Sequence, residues 1–264
     1  MKHNANGNGL RDLELDVAEL PKHIAVIMDG NGRWAQSRGL PRIQGHRAGA
    51  KTVQNIVEHV RRLGIRYLTL FAFSTENWQR PRDEISGLMK IFEVYLKSEL
   101  NKMLEQDVRL RVIGNLDVLP SGVAKLISEA QERTVQNSSL DFILAISYGG
   151  RAEIIQACQQ LAEQVKAGTL ETNAIDDRTF SQCLYAPDVP DPDLLIRTSG
   201  EFRVSNFLLW QIAYSEIIVS DVAWPDFSKE HLYQALREYS TRQRRYGLTG
   251  EQQKAATEIQ ATQS

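Results

Sequence analysis

A chain of 264 residues that is 42% hydrophobic and 24% charged can bury the core of one sizeable domain. A formal net charge of -2 gives no overall positive field to gather nucleic acid or anionic lipid, so any anion site has to be built locally. The only cysteines, Cys158 and Cys183, exclude a disulfide scaffold and a cysteine-rich zinc site, and no apolar run is long enough to span a bilayer.

In chain order, residues 1–20 read as a flexible lead-in that turns helical near Leu13, with no continuous apolar signal segment. Residues 250–264 read as a polar tail, which leaves one domain over 21–249. Within it, apolar runs at 24–29, 66–73, 108–114, 140–148, 193–198 and 216–220 predict strands, most of them apolar on both faces. Helical spacing of Val53, Ile56, Val57 and Val60, closed by Gly64, predicts a helix over 46–63. Further helices are expected over 84–104, 121–135, 150–166 and 228–244. Strand–helix alternation predicts an α/β fold with a central, mostly parallel six-stranded sheet flanked by helices. Ligands of such sheets bind beyond the carboxyl ends of the strands.

Those ends carry "DGNGRW", "STENWQRPR", "YGGR" and "RTSGEFRVSN", a polar rim rich in Arg and Gly. Gly30 and Gly32 leave room for backbone N–H groups to approach an anion, and Arg33 and Arg42 offer forks that match phosphate oxygens. Asp29 cannot bind an anion itself, so its company suggests a Mg²⁺ ion bridging carboxylate and phosphate. Arg197, Arg203 and Ser205 form a second anion-binding group, and Glu216 a further carboxylate for the metal. Two anion sites around one ion point to a transferase with two phosphorylated substrates. Each residue also has an ordinary reading: Asp29 as a turn cap, Arg197 and Arg203 as surface ion pairs, Trp78 and Phe73 as packing. "GHRAGAKT" approximates a nucleotide-binding P-loop, but Ala50 replaces its second glycine and no strand directly precedes it, so a nucleotide hydrolase is the second choice.

Taken together, "HIAVIMDGNGRWA", "GHRAGA", "LTLFAFSTENWQRP", "ISYGGR", "DLLIRTSGEFRVSNFLLWQIAYSE" and "WPDF" resemble the cis-prenyltransferase family over His23 to Gly247. The resemblance implies Mg²⁺-dependent condensation of isopentenyl diphosphate onto an allylic diphosphate such as farnesyl diphosphate, giving a long chain such as undecaprenyl diphosphate for cell-wall synthesis. By that likeness Asp29 and Asn77 are catalytic. Gly30, Asn31, Gly32, Arg33, Trp34, Arg42 and His46 surround the allylic diphosphate, and Arg197, Arg203 and Ser205 hold isopentenyl diphosphate. Asp29 and Glu216 take the metal. Ser74, Thr75, Glu76, Asn77, Trp78 and Arg80 belong to a mobile substrate-handling loop, and Arg245 and Gly247 to an element that reaches into a partner's site. A homodimer in the cytoplasm, peripheral to the membrane that receives its product and without a nucleic-acid partner, is the implied setting. The growing hydrocarbon requires an apolar tunnel, for which Ile85, Leu88, Met89, Phe92, Tyr95 and Leu96, with Leu70 and Ala72, are the candidates. The paired-aspartate signature of the helical trans-prenyltransferases is absent.

Overall fold

The protein is described from a computed structural model, which covers Leu13 and residues 15–242. Six strands, β1 (His23–Ile27), β2 (Tyr67–Ser74), β3 (Val108–Ile113), β4 (Leu140–Tyr148), β5 (Leu194–Thr198) and β6 (Glu216–Ser220), form one sheet in the order β3-β4-β2-β1-β5-β6. Every pairing is parallel, so the sheet is wholly rather than mostly parallel. All nine residues of β4 and all five of β1 are buried, as strands covered on both faces require.

Side chains alternate between two cores. Ile24, Val26, Leu68, Leu70, Phe142 and Leu144 face one side, whereas Ala25, Ile27, Ile143, Ala145 and Leu195 face the other. The first core is covered by α2 (Arg42–Arg62), α3 (Arg82–Glu105), α4 (Ser121–Thr134) and α7 (Lys229–Thr241), which follow the small helix α1 (Asn31–Gln36) and bracket two others. The second is covered by the segment around Phe207 and Leu208, with α5 (Gly150–Lys166) and the five-residue α6 (Asp177–Ser181) alongside.

Helices α2, α3 and α4 each start directly after a proline, Pro41, Pro81 and Pro120. Its fixed φ and missing N–H suit a helix entry. The expected starts at 46 and 84 therefore move up to Arg42 and Arg82. Two short helices, α1 and α6, had no periodicity long enough to announce them. Leu13, inside the stretch expected to be a flexible lead-in, is fully buried in the first core, and its carbonyl accepts from Arg237 Nε at 3.1 Å. Residues 243–264, and with them Arg245, Gly247 and the expected tail, lie outside the described residues.

At the amino end of β1 the ring of His23 is buried between Pro190 O (Nδ1, 2.6 Å) and Thr69 Oγ1 (Nε2, 2.7 Å). Burial lowers its pKa from 6.5 to about 4, against the opposing pull of the Pro190 carbonyl and Asp193. Between those values the unfolded chain binds a proton that the folded chain refuses, so stability falls as the pH drops from 6.5 towards 4 and levels off below. That gap corresponds to about 3 kcal/mol. Urea unfolding should show a lower midpoint at pH 5 than at pH 7, and His23→Gln should flatten the difference.

Candidate active site

The carboxyl ends of β1, β2, β4 and β5 meet at one edge of the sheet, as register dictates. Ile27 pairs with Phe71 on one side and Arg197 on the other, and Ser74 pairs with Tyr148. Asp29 follows two residues beyond Ile27. Its main-chain oxygen accepts from Thr198 Oγ1 at 2.8 Å and from the Trp224 N–H at 2.9 Å, which fixes the turn. Gly30 then adopts φ 98°, where a Cβ would stand 2.7 Å from Ser199 Oγ and 2.9 Å from Ala223 Cβ.

Arg197 is buried at 3% exposure, and its guanidinium donates to Asp29 Oδ2 at 2.8 Å, to Ser205 Oγ at 2.7 Å and to the carbonyl of Arg203. The other Asp29 oxygen accepts from the Gly30 N–H at 2.6 Å and lies 3.2 Å from Arg33. Arg203 stands 3.9 Å from Asp29. Partial burial pushes the Asp29 carboxyl up, but the bonds from Arg197 and Gly30 and the charges of Arg197 and Arg33 prevail and hold it below the ordinary carboxylate range. It is ionised at neutral pH.

On the far side of the mouth, Arg42 (3.3 Å), Arg80 (3.1 Å) and His46 (3.8 Å) surround the carboxylate of Glu84. Burial, together with the Arg80 and Arg42 charges, lowers His46 to about 4 despite Glu84, so its ring is neutral. Its Nε2 is buried without a hydrogen-bond partner, as are Asn31 Oδ1 and Arg197 Nε. Three buried polar atoms without a protein partner at one mouth suit a polar ligand.

The mouth opens into a cavity of about 750 Å³. Asp29 to Arg33, Arg42, His46, Ser74, Glu76, Asn77, Arg80, Arg197, Arg203 and Ser205 line its polar part, and Leu88, Ile91, Phe92, Tyr95, Val53 and Leu144 its apolar part. Of the residues expected along a tunnel, Ala72, Leu88, Phe92 and Tyr95 border the cavity. Leu70, Met89 and Leu96 are packed in the first core instead, and Ile85 lies against it half-buried.

The remaining expected residues fall in several places. Ser74 and Asn77 close a short 3-10 turn on each other, with Asn77 Oδ1 accepting from the Ser74 N–H at 3.1 Å. Trp78 packs edge-on against Phe73 and donates to Ser147 Oγ at 3.0 Å, and Thr75 is turned towards Gly149, where a Cβ would stand 2.7 Å from its Oγ1, and does not line the cavity. Trp34 stacks under Arg38 at 4.3 Å, beside the mouth rather than in it.

Glu216 does not reach the mouth. It opens β6 opposite Leu194, which is itself level with Ile24, and its carboxylate accepts from Arg242 at 2.9 Å. In a parallel sheet the first residue of a strand stands at the edge opposite to the last, so the expectation that Glu216 joins Asp29 at one metal within a chain is corrected. Lys51 and Thr52 ride in the middle of α2, with Thr52 Oγ1 on Pro225 O at 3.1 Å, which removes the P-loop reading.

Two carboxylates escaped sequence reasoning. Glu201 pairs with Arg33 at 2.7 Å and with Arg203, and Glu84 gathers Arg42 and Arg80. The Arg80–Glu84 spacing of four was the one visible signal for the second. Among the described residues, no cluster of three His, Cys, Asp or Glu could cage a metal. A single ionised carboxylate beside arginine forks fits Mg²⁺, which is commonly held by one or two carboxylates and completed by phosphate oxygens.

A single-domain parallel α/β sheet with an arginine-rich mouth over an apolar cavity has the form of an enzyme for ligands with one charged and one apolar end. The family model described as "Putative undecaprenyl diphosphate synthase" matches residues 27–247, and the chain belongs to this prenyltransferase family. An isoprenyl transferase of Chlorobaculum tepidum is 52% identical over 235 residues, 89% of each chain. A Micrococcus luteus ditrans,polycis-undecaprenyl-diphosphate synthase, (2E,6E)-farnesyl-diphosphate specific, is 47% identical over 90% of this chain and 96% of its own. The crystal structure of lavandulyl diphosphate synthase from Lavandula x intermedia, in complex with dimethylallyl diphosphate, superposes with a TM-score of 0.85 at 38% identity, covering 87% of this chain and 99% of that one. The protein is accordingly a transferase.

The turn after β1 rests on a close crossing of α1 and α2, where a Cβ on Gly45 would stand 1.9 Å from the Asn31 carbonyl oxygen. Gly45→Ala must push the two helices apart and should destabilise the protein by about 2 kcal/mol in urea unfolding, as overpacking does.

Proposed function

We propose that the protein elongates an allylic diphosphate, farnesyl diphosphate by preference, with isopentenyl diphosphate units added in cis, and that its product is a long polyprenyl diphosphate, undecaprenyl diphosphate. The observation that carries this reading is the continuity of the Asp29–Arg197 mouth with the apolar cavity against α3. A polar end and a greasy end in one cavity fit a substrate built the same way.

The backbone around Gly30, with Arg33, Arg42, His46 and Arg80, receives the allylic diphosphate, and Arg197, Arg203 and Ser205 receive that of isopentenyl diphosphate. Asp29 stands between the two groups and is the residue that would hold Mg²⁺. The ion, when bound, neutralises charge on the departing diphosphate. Arginine forks fixed before the reaction do the same without reorganising during it, in a mouth from which substrate excludes water. In each cycle C4 of isopentenyl diphosphate bonds to C1 of the allylic partner, diphosphate leaves and C2 loses a proton. Asn77 and Ser74 are held by each other and serve to orient rather than to accept that proton.

Each added isoprene moves the chain deeper along Ala72, Leu88, Phe92 and Tyr95, where burial at about 25 cal/mol per Å² favours retention until the space is filled. We further propose a homodimer acting in the cytoplasm at the inner membrane face, where the product serves as lipid carrier for cell-wall synthesis. The farnesyl specificity named for the Micrococcus luteus relative supports the choice of primer.

Incubation of the purified protein with farnesyl diphosphate, labelled isopentenyl diphosphate and Mg²⁺ should give a butanol-extractable polyprenyl product whose mass reports eleven isoprene units, and EDTA should abolish it. No extractable product from any allylic primer would refute the reading. Asp29→Ala should lower turnover by about a thousandfold, as loss of a central electrostatic group does.

A further inference from the structure

Asn206 borders the mouth beside Ser205 but has been given no part in it so far. It follows Ser205 in a turn where both residues have positive φ, 49° and 63°. Two successive non-glycine residues in left-handed backbone persist only where their surroundings hold them. Three hydrogen bonds do so here. The Asn206 main-chain oxygen accepts from the Gly150 N–H at 2.7 Å, its Oδ1 accepts from the Arg151 N–H at 2.9 Å, and its Nδ2 donates to Glu76 Oε1 at 2.9 Å. One residue therefore joins the segments that follow β2, β4 and β5.

Gly149 is where they meet. A Cβ on it would stand 2.7 Å from Thr75 Oγ1 and 2.8 Å from Asn206 Nδ2. A Cβ on Gly150 would meet Leu209 at 2.8 Å, so the glycine pair lets both outer segments close down on the end of β4. Glu76 lines the mouth, but an ionised carboxylate only accepts and cannot bind a diphosphate directly. Burial pushes its carboxyl up, yet hydrogen bonds from its own N–H, Asn206, Ser74 and Thr75 outweigh that and keep it ionised.

We propose that Asn206 is a positioning residue that latches segment 74–80 onto segment 199–206, with Glu76 as the latch partner rather than a substrate ligand. The Asn206 amide donates to Glu76 and accepts from the Arg151 N–H at once, and asparagine tolerates left-handed backbone better than other non-glycine residues. The latch ties Arg80 on one segment to Arg203 and Ser205 on the other. Resting on the substrate assignment above, each diphosphate bound to one segment favours the other on its neighbour, and the effect is equal in both directions, as linkage requires.

Hydrogen exchange on the ligand-free full chain tests the latch without turnover. Asn206→Gly keeps the backbone conformation and removes the amide, and Glu76→Ala removes its acceptor. Each should speed exchange of the amides of residues 75–79 by about tenfold, the size expected for a hydrogen bond to a charged group. The double variant should exchange no faster than either single one, because both changes break the same contact. In steady state, Asn206→Gly should raise KM for isopentenyl diphosphate by roughly tenfold and change kcat much less. Wild-type exchange in Asn206→Gly would mean that the residue serves only its turn, and additive effects in the double variant would mean two separate roles; either overturns the latch. Absence of turnover in the wild-type protein would overturn the substrate assignment, while the exchange data would still decide the latch.

Discussion

The buried guanidinium of Arg197 is the constraint around which the mouth is organised. A charge at 3% exposure is tolerated only when paired and hydrogen-bonded, and Asp29, Ser205 and the Arg203 carbonyl are placed to do that. Asp29 and Arg197 are 168 residues apart and meet because β1 and β5 are neighbours in register. The pairing in turn sets the Ser199–Asn206 segment, since two of Arg197's acceptors belong to it. Removing the Asp29 carboxylate thus strips a buried cation of its counter-charge as well as the site of its acid.

The same mouth is close to electrical balance. Arg33, Arg42, Arg80, Arg197 and Arg203 face Asp29, Glu76, Glu84 and Glu201, and each of these guanidinium groups already holds a carboxylate. A chain of net charge -2 can hold so dense a basic cluster without a global positive field because the counter-charges are built in. A ligand must therefore compete with carboxylates rather than enter a vacant positive well. Singly charged anions gain little from such an exchange, whereas a diphosphate, with several oxygens for several forks, replaces more than one partner at a time.

The parallel sheet and most helices were legible because fully apolar strands alternate with amphipathic segments, a pattern that few other folds can bury. The residues that line the polar mouth were legible because glycine and arginine cluster at the strand ends. What escaped had no periodic or compositional trace. Helix α1 spans six residues with a glycine among them and is held by its contact with Gly45, not by propensity. Glu201 and Glu84 are ordinary acids until the fold brings arginines to them. Glu216 was misplaced because position along a strand, not proximity in a motif, decides which edge of a parallel sheet a side chain occupies.

The limit is clearest on α3. Leu88, Ile91, Phe92 and Tyr95 border the cavity, while Met89, Leu96 and Met103 on the adjoining stripe are packed into the core. The two stripes differ by roughly one residue, about 100° of rotation, and both are apolar, so hydrophobic periodicity places them on one broad face. Only the position of α3 against α2 and β2 decides which stripe meets a neighbour and which meets space. A cavity is a property of what does not touch, and a sequence records side chains rather than the gaps between them; the space that would hold a hydrocarbon chain is set by rigid-body placement of helices whose own formation was easy to foresee.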